Sequence, residues 1–244
     1  MMMLSVSNLE KSFHLHQQNN AHIPVLSGAQ FDVAAGECVA LTGPSGCGKS
    51  SLMRMIYGNY RADSGSIRIS GTDVVTATPR EVMALRRGTI GYVSQFLRVL
   101  PRVPTLRVVA EPYILAGGNE AEAEEIAREL LLRLRIPETL WQLSPLTFSG
   151  GEQQRVNIVR GFVHPYPVLL LDEPTASLDA ANKDSVLDLI VEAKQRGAAV
   201  IGIFHDAIVR DAVADREIDV SLFGGKLRMM MMHTRPGCLI AVVG

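Results

Sequence analysis

The spacing of apolar positions changes along the chain, and each change predicts an element. Leu4 to Phe13 and Gln30 to Val33 read as short strands. They are joined through a polar segment around His16, Gln17, Gln18, Asn19 and Asn20, which has the makeup of a surface hairpin loop. After Gly36, the apolar run Cys38-Val39-Ala40-Leu41 predicts a strand, and Ser51 to Ile56 continues with helical spacing. Ser66 to Gly71 alternates polar and apolar residues and ends in glycine, as a half-exposed strand does. Thr89 to Val93 is a further strand, closed by Ser94-Gln95.

Between Phe96 and Leu146 the character turns helical. Asn119 followed by Glu122 predicts an N-cap with a capping box. Ile126, Leu130, Leu131 and Leu134 then make an apolar stripe, read here as a packing face. Acidic residues crowd the start (Glu120, Glu122, Glu124, Glu125) and arginines the end (Arg128, Arg133, Arg135), which suits the helix dipole; Pro137 stops the pattern. The strands then return. Val168 to Leu171 and Ala198 to Phe204 are continuous apolar runs, typical of parallel strands buried on both faces, with a helix from Asn182 to Gln195 between them. Strands alternating with helices imply an α/β fold with a parallel sheet, the helical stretch being inserted into it.

Composition narrows the class without adding chemistry. Hydrophobic residues at 47% and charged residues at 20% describe a globular protein, and a net charge of −1 gives no electrostatic reason to expect nucleic acid as a partner. No apolar run approaches the roughly 20 residues that cross a bilayer, and Met1 to Val6 lacks the basic region of a secretory signal. The three cysteines, Cys38, Cys47 and Cys238, have no metal-ligand spacing and fit a reducing cytosol, so a cytoplasmic location is expected.

The chemistry begins at Gly43-Pro44-Ser45-Gly46-Cys47-Gly48-Lys49-Ser50, which meets G-x-x-x-x-G-K-[ST] at every fixed position. It lies between a predicted strand and a predicted helix, the context that makes such a loop a phosphate cradle. Glycines let the backbone turn its N–H groups inward, and the helix N-terminus adds partial positive charge. Gly43 through Ser51 are therefore the candidate contacts to a nucleoside triphosphate, with Lys49 reaching the β- and γ-phosphates and Ser50 ligating Mg²⁺. Asp172 would close the Val168–Leu171 strand at its C-terminal edge, where α/β sheets bind ligands and where Mg²⁺ needs a hard oxygen. Glu173 follows it and points the other way, positioned to hold an attacking water as general base. Ser149-Gly150-Gly151-Glu152-Gln153-Gln154-Arg155 has loop-to-helix form, read either as a second anion site or as a structural helix cap.

In this order the segments resemble an ABC-type ATPase. Gly43 to Ser50 looks like its Walker A loop and Gln95 like its Q-loop. Ser149 to Gln153 looks like its signature and Val168 to Glu173 like its Walker B strand. Ala176 to Asp179 resembles its D-loop, and His205 its switch histidine. The resemblance spans roughly residues 4 to 215. It implies a P-loop ABC-ATPase fold, with a mixed sheet core, an antiparallel β subdomain and an α-helical subdomain inserted at about 96–160, in a single domain covering 1–228. It implies ATP and Mg²⁺ as cofactors and a head-to-tail homodimer on ATP binding. In that dimer Lys49 of one copy faces Ser149, Gly150, Gly151 and Glu152 of the other, with Asp179 nearby. Glu173, His205 and Lys49 would be catalytic, and Ser50, Gln95 and Asp172 would serve the metal. Phe13 is either the aromatic that stacks on adenine or a core residue.

Within that family, 93–102, 148–158 and 197–206, with Trp141 to Pro145, resemble the PhnL-type ATPases of the phosphonate carbon–phosphorus lyase system. This implies an accessory ATPase in the making of α-D-ribose 1-methylphosphonate 5-triphosphate, partnered by soluble C–P lyase components and a sister ABC ATPase. The rival expectation is a transporter ATPase of the lipoprotein- or macrolide-exporter type, partnered by a membrane permease, because the region 95–105 resembles that kind too. A third class, acting on DNA or ribosomes, is disfavoured by the single cassette and the lack of a basic stripe. Two features depart from the family. Phe148 and Glu152 stand where most members have Leu and Gln, and the tail 229–244 matches nothing in it.

Overall fold

The computed structural model describes residues 1–15 and 21–224; the hairpin loop at 16–20 and the tail at 229–244 lie outside them. In chain order the elements are β1 (Met2–Leu15), β2 (Ala21–Ala34), β3 (Cys38–Thr42), α1 (Lys49–Ile56), β4 (Ser64–Ile69), β5 (Thr72–Asp73), α2 (Pro79–Gly88) and β6 (Ile90–Val93). Then come α3 (Thr105–Leu115), α4 (Glu120–Arg133), α5 (Gly150–Phe162), β7 (Val168–Asp172), α6 (Ala180–Gln195), β8 (Ala199–Ile203), α7 (Ala207–Val213) and β9 (Arg216–Asp219).

The expected mixture of strand directions is divided between two sheets. One is antiparallel, ordered β2-β1-β4-β5; the other is ordered β6-β7-β8-β3-β9, with every pairing parallel. Alternation along the parallel strands explains their unbroken apolar runs. Cys38, Ala40, Leu169, Leu171 and Val200 face a core shared with the inserted helices through Val109, Leu131 and Ile158 and with α6 through Ile190. Val39, Leu41, Leu170, Ile201 and Ile203 face the opposite core, shared with α1 through Leu52 and Met55 and with the antiparallel sheet through Val6 and Ile67. The parallel sheet is thus the partition between two hydrophobic layers, and its C-terminal edge is left open for a site.

The inserted helices are held by the stripe read from sequence. Leu130, Leu131 and Leu134 are buried, and Ile126 packs partly buried against the same core. Leu131 is fully enclosed, so truncating it to Ala costs about 2–5 kcal/mol. Asn119 caps α4 as expected, accepting from the N–H groups of Ala121 and Glu122. The cap is made by Asn119 alone, and the expected capping box with Glu122 is not formed. The helix ends at Arg133, and Arg135 turns the chain in the left-handed region (φ 55) before Pro137.

Beyond β5, α7 and β9, which the sequence pattern did not predict, two elements differ from expectation in an instructive way. β2 runs from Ala21 rather than Gln30, because register shifts against β1 break the alternation a sequence scan relies on. The helix α2 was not expected at all. Its start is nonetheless well specified: Pro79 occupies its first turn, and Thr78 and Glu81 form a reciprocal capping box.

Candidate functional site

All five parallel strands end along one edge, and the candidate residues of the phosphate loop, Gln95, Asp172, Glu173 and His205 lie there. β6 leads to Gln95, β7 ends at Asp172 and Glu173, β8 leads to His205, β3 leads into the phosphate loop, and β9 ends at Asp219. The edge gathers residues up to 176 positions apart in the chain, from Gly43 to Asp219.

In the loop, Gly43, Gly46 and Gly48 have φ of 123, 79 and 107 degrees, values that favour glycine. A side chain at Gly48 would also meet Val25 Cγ1 at 2.9 Å, and one at Gly43 would meet Asp219 Oδ1 and Cys47 Sγ at 2.9 Å each. Lys49 opens α1 with no side-chain cap ahead of it, so the first-turn N–H groups remain available to an anion, and Ser50 and Ser51 lie in the same turn. The Lys49 ammonium is folded back onto the loop, donating to the carbonyls of Gly43 (2.6 Å) and Pro44 (3.1 Å). A cation resting on its own loop carbonyls, at an uncapped helix start, is a fit for phosphate oxygens.

Asp172 is 4% exposed, and its Oδ2 accepts from the Tyr92 hydroxyl at 3.0 Å. Burial pushes its carboxyl above the ordinary range, opposed by the Tyr92 bond and reinforced by the neighbouring Glu173. A nearby cation would oppose that shift by favouring the charged carboxylate. Among the described residues no group of three or more His, Cys, Asp or Glu side chains could hold a metal ion. Mg²⁺ at this edge would therefore rest on Asp172, Ser50 and Gln95 only in company with phosphate oxygens, the usual manner of that ion.

Glu173 has φ 54, a left-handed conformation that costs a non-glycine residue about 1–3 kcal/mol. Its backbone N–H donates to Ile203 O at 3.0 Å, which turns the side chain away from that of Asp172. Its carboxylate joins two other candidates: Oε1 is 2.6 Å from His205 Nε2, and Oε2 accepts from Gln95 Nε2 at 3.2 Å. The structure thus brings Gln95, Glu173 and His205 into one hydrogen-bonded trio.

Ser149 caps α5 in a capping box. Its Oγ accepts from the Glu152 N–H, and Glu152 Oε2 accepts from the Ser149 N–H (2.9 Å) and hydroxyl (2.7 Å). Bonds from the Ser149 hydroxyl and backbone hold the Glu152 carboxyl below its ordinary range. The helix-cap reading of this segment is thus the one present in the structure. A Cβ on Gly151 would lie 3.5 Å from Ser177 O, so signature and D-loop adjoin. Asp179 caps α6 by accepting from Asn182 N at 2.8 Å, which together with the Asn182 amide lowers its carboxyl. Gln154 and Asn157 on α5 donate to the carbonyls of Pro174 and Ser94, tying the signature helix to both the Walker B turn and the Q-loop. Phe13 stands apart from the trio. Its ring meets Tyr60 edge-on at 5.7 Å with Lys11 at 5.3 Å, and it pairs with Ile23 of β2, the strand whose Val25 packs on Gly48.

Tyr92, Arg54, Gln154 and Asn157 touch this site and were not singled out from the sequence. The one signal was a hydroxyl in an otherwise apolar strand, three residues before Gln95.

A parallel sheet with a phosphate loop, two strand-end carboxylates and a glutamine and a histidine at its edge defines a P-loop nucleotide-binding domain. The ABC transporter family matches residues 26–176, more than half of the chain, and the chain belongs to that family. It is 38% identical over 204 residues to the lipoprotein-releasing system ATP-binding protein LolD 2 of Caulobacter vibrioides, covering 83% of this chain and 88% of that protein. It is 34% identical over 218 residues to the macrolide export ATP-binding/permease protein MacB of Salmonella typhimurium, covering 89% of this chain but 33% of MacB. Among solved structures it resembles the ATP-binding cassette MJ0796, dimeric in a post-hydrolysis state with ADP and phosphate. That match has a TM-score of 0.81 and 26% identity, and it covers 90% of this chain and 95% of the other.

These findings overturn the expected place in phosphonate chemistry. The relatives found carry the names of lipoprotein release and macrolide export, which fit the rival expectation, and neither the C–P lyase partners nor a PhnL-type closeness is supported. The physical reason is that the stretches suggesting it contain the Q-loop, the signature helix α5 and the buried strand β8. Those are parts that the fold and the nucleotide site demand, so they report the cassette and not what it is coupled to.

Proposed function

We propose that this chain is the ATP-hydrolysing cassette of a transporter, in which two copies close head-to-tail on ATP and drive a membrane permease of the lipoprotein-release or macrolide-export kind. The observation that carries the reading is the single sheet edge that unites the phosphate loop with Gln95, Asp172, Glu173 and His205.

In this reading the loop from Gly43 to Ser51 binds the triphosphate through its backbone, and Lys49 exchanges its loop carbonyls for phosphate oxygens. Glu173 takes the proton of the attacking water. The bond from Gln95 and the contact with His205 fix the carboxylate's direction, and His205 and Lys49 offset charge on the transferred phosphoryl group. Mg²⁺, held by Ser50, Asp172 and Gln95, would neutralise charge on the phosphates. Ser149, Gly150 and Gly151 of the second copy would close over the nucleotide, with Glu152 and Asp179 holding the two helix starts and Phe13 offering its ring to adenine.

The permease side rests on the surface next to Gln95. Phe96 and Leu100 are 68% and 73% exposed, beside a groove of about 540 Å³ lined by Arg98, Val99, Leu100, Val103, Ile114 and Leu115. Exposed large apolar side chains with arginines at the rim have the composition of an interface. Among the described residues no helix is long and apolar enough to cross a membrane, so a spanning helix would have to come from a partner or from residues outside them. The test is affinity capture of tagged Glu173→Gln from detergent-solubilised cells, with and without ATP. Recovery of an integral membrane permease supports the reading. Recovery of water-soluble partners alone, in both states, contradicts it.

A further inference from the structure

The motif reading of the site needs a carboxylate at Asp172 but says nothing of what orients it. Asp172 is 4% exposed, so little water is available to do so. The group that meets it is the Tyr92 hydroxyl, 3.0 Å from Oδ2. Tyr92 lies on β6 directly opposite Leu170 of β7, and Leu170 and Asp172 share a face of their strand, so the ring has only to lean one pleat along the sheet. Its own position is fixed by Tyr57, whose ring is 5.0 Å away.

The direction of the bond is set from the other side. The Arg54 guanidinium interacts with the Tyr92 hydroxyl and donates to Tyr60 Oη at 2.8 Å. A guanidinium offers only donors, and a phenol has a single proton. With that positive charge nearby, the Tyr92 hydroxyl directs its one proton to Asp172, whose carboxylate oxygens can only accept. Arg54 sits on α1, the helix that starts at Lys49 and carries Ser50, so the carboxylate is oriented relative to the element that holds the phosphates.

We propose that Tyr92 is a positioning residue for Mg²⁺ binding: it occupies Oδ2 of Asp172 and turns Oδ1 toward the cation. Resting on the ATP and Mg²⁺ reading of this edge, the assignment adds a residue that the phosphate-loop and strand-end motifs do not require. Phenylalanine would fill the same space beside Tyr57 and make no such bond.

The experiment measures binding of a fluorescent ATP analogue by the full chain, in EDTA and across a Mg²⁺ titration, for wild type and Tyr92→Phe. Removing an outer residue that orients a metal ligand typically costs 10–100-fold in metal affinity. Tyr92→Phe should therefore raise the half-saturating Mg²⁺ concentration at least about tenfold, with affinity in EDTA within about twofold of wild type. In Asp172→Asn the further change Tyr92→Phe should leave the Mg²⁺ response unmoved. An unchanged Mg²⁺ midpoint in Tyr92→Phe overturns the assignment. So does an equal loss of affinity in EDTA, which would place Tyr92 in the fold rather than at the metal. A wild-type protein whose ATP affinity ignored Mg²⁺ would overturn both the assignment and the site reading beneath it.

Discussion

Replacing Glu173 with glutamine separates the proton from the shape. In the structure the carboxylate is flanked by two partners, His205 Nε2 at 2.6 Å and Gln95 Nε2 at 3.2 Å, on a backbone held at φ 54 by the bond to Ile203 O. A glutamine can keep both contacts, since its carbonyl accepts from Gln95 and its amide donates to a neutral His205. It cannot take a proton from water. A positioned general base contributes about 10²–10⁴-fold, or about 2.7–5.5 kcal/mol of barrier. Glu173→Gln should therefore lower steady-state phosphate release by at least about 10²-fold while ATP binding stays within a few-fold of wild type. The assay is phosphate release under saturating Mg-ATP beside an equilibrium binding titration. Turnover near wild type would remove Glu173 from the chemistry. Parallel loss of binding and turnover would show that the side chain shapes the site and does not serve as its base.

Gly48→Ala should abolish measurable ATP binding, because it combines φ 107 with a 2.9 Å approach to Val25 Cγ1; the titration used for Glu173→Gln reads it directly. Cys47, half-buried in the phosphate loop, should be alkylated by a maleimide and protected by Mg-ATP. Cys38, buried with its thiol pushed up to about 12, should stay unmodified in peptide mass spectrometry. Glu152→Gln should reduce the ATP concentration needed for self-association, since it removes a charge beside the γ-phosphate expected from the second copy; light scattering against ATP concentration checks it. Asp215 gives a pH test. Burial raises its carboxyl, but bonds from the Cys38 N–H and Lys194 outweigh this and hold it below the ordinary carboxyl value of 3.8. A lowered folded value stabilises above the unfolded one and is lost as pH falls. The urea-midpoint advantage of wild type over Asp215→Asn should be full above about pH 5 and shrink as pH falls below 3.8.

Four of the five parallel strands and the phosphate loop were legible because each is written locally; β9 was not, since it buries only Ile218. Continuous apolar runs mark strands buried on both faces, and glycines at fixed spacing mark a backbone that must turn. The strand-end carboxylate and the cap at Ser149 were legible for the same reason. What sequence could not give was anything made by register or by the meeting of distant elements. β2 escaped because bulges against β1 scramble its alternation. α2 was missed although Thr78-Pro79-Arg80-Glu81 spells its start, since its interior buries only Leu85 and leaves almost no apolar stripe. The Tyr92–Asp172 bond depends on which strand neighbours which. The coupled process was misread because the resembling stretches build the nucleotide site, while the partner is selected by an exposed surface with looser physical constraints.

The central claim is that two copies of this chain enclose ATP between the phosphate loop of one and the signature helix of the other. Sedimentation velocity on purified Glu173→Gln, with Mg-ATP and without nucleotide, tests it most directly when combined with the count of nucleotide bound. The account predicts a monomer without nucleotide and, with Mg-ATP, a dimer carrying two ATP molecules that Ser149→Arg prevents from forming. A monomer that binds ATP at every protein concentration, or a dimer indifferent to both ATP and Ser149, would contradict it.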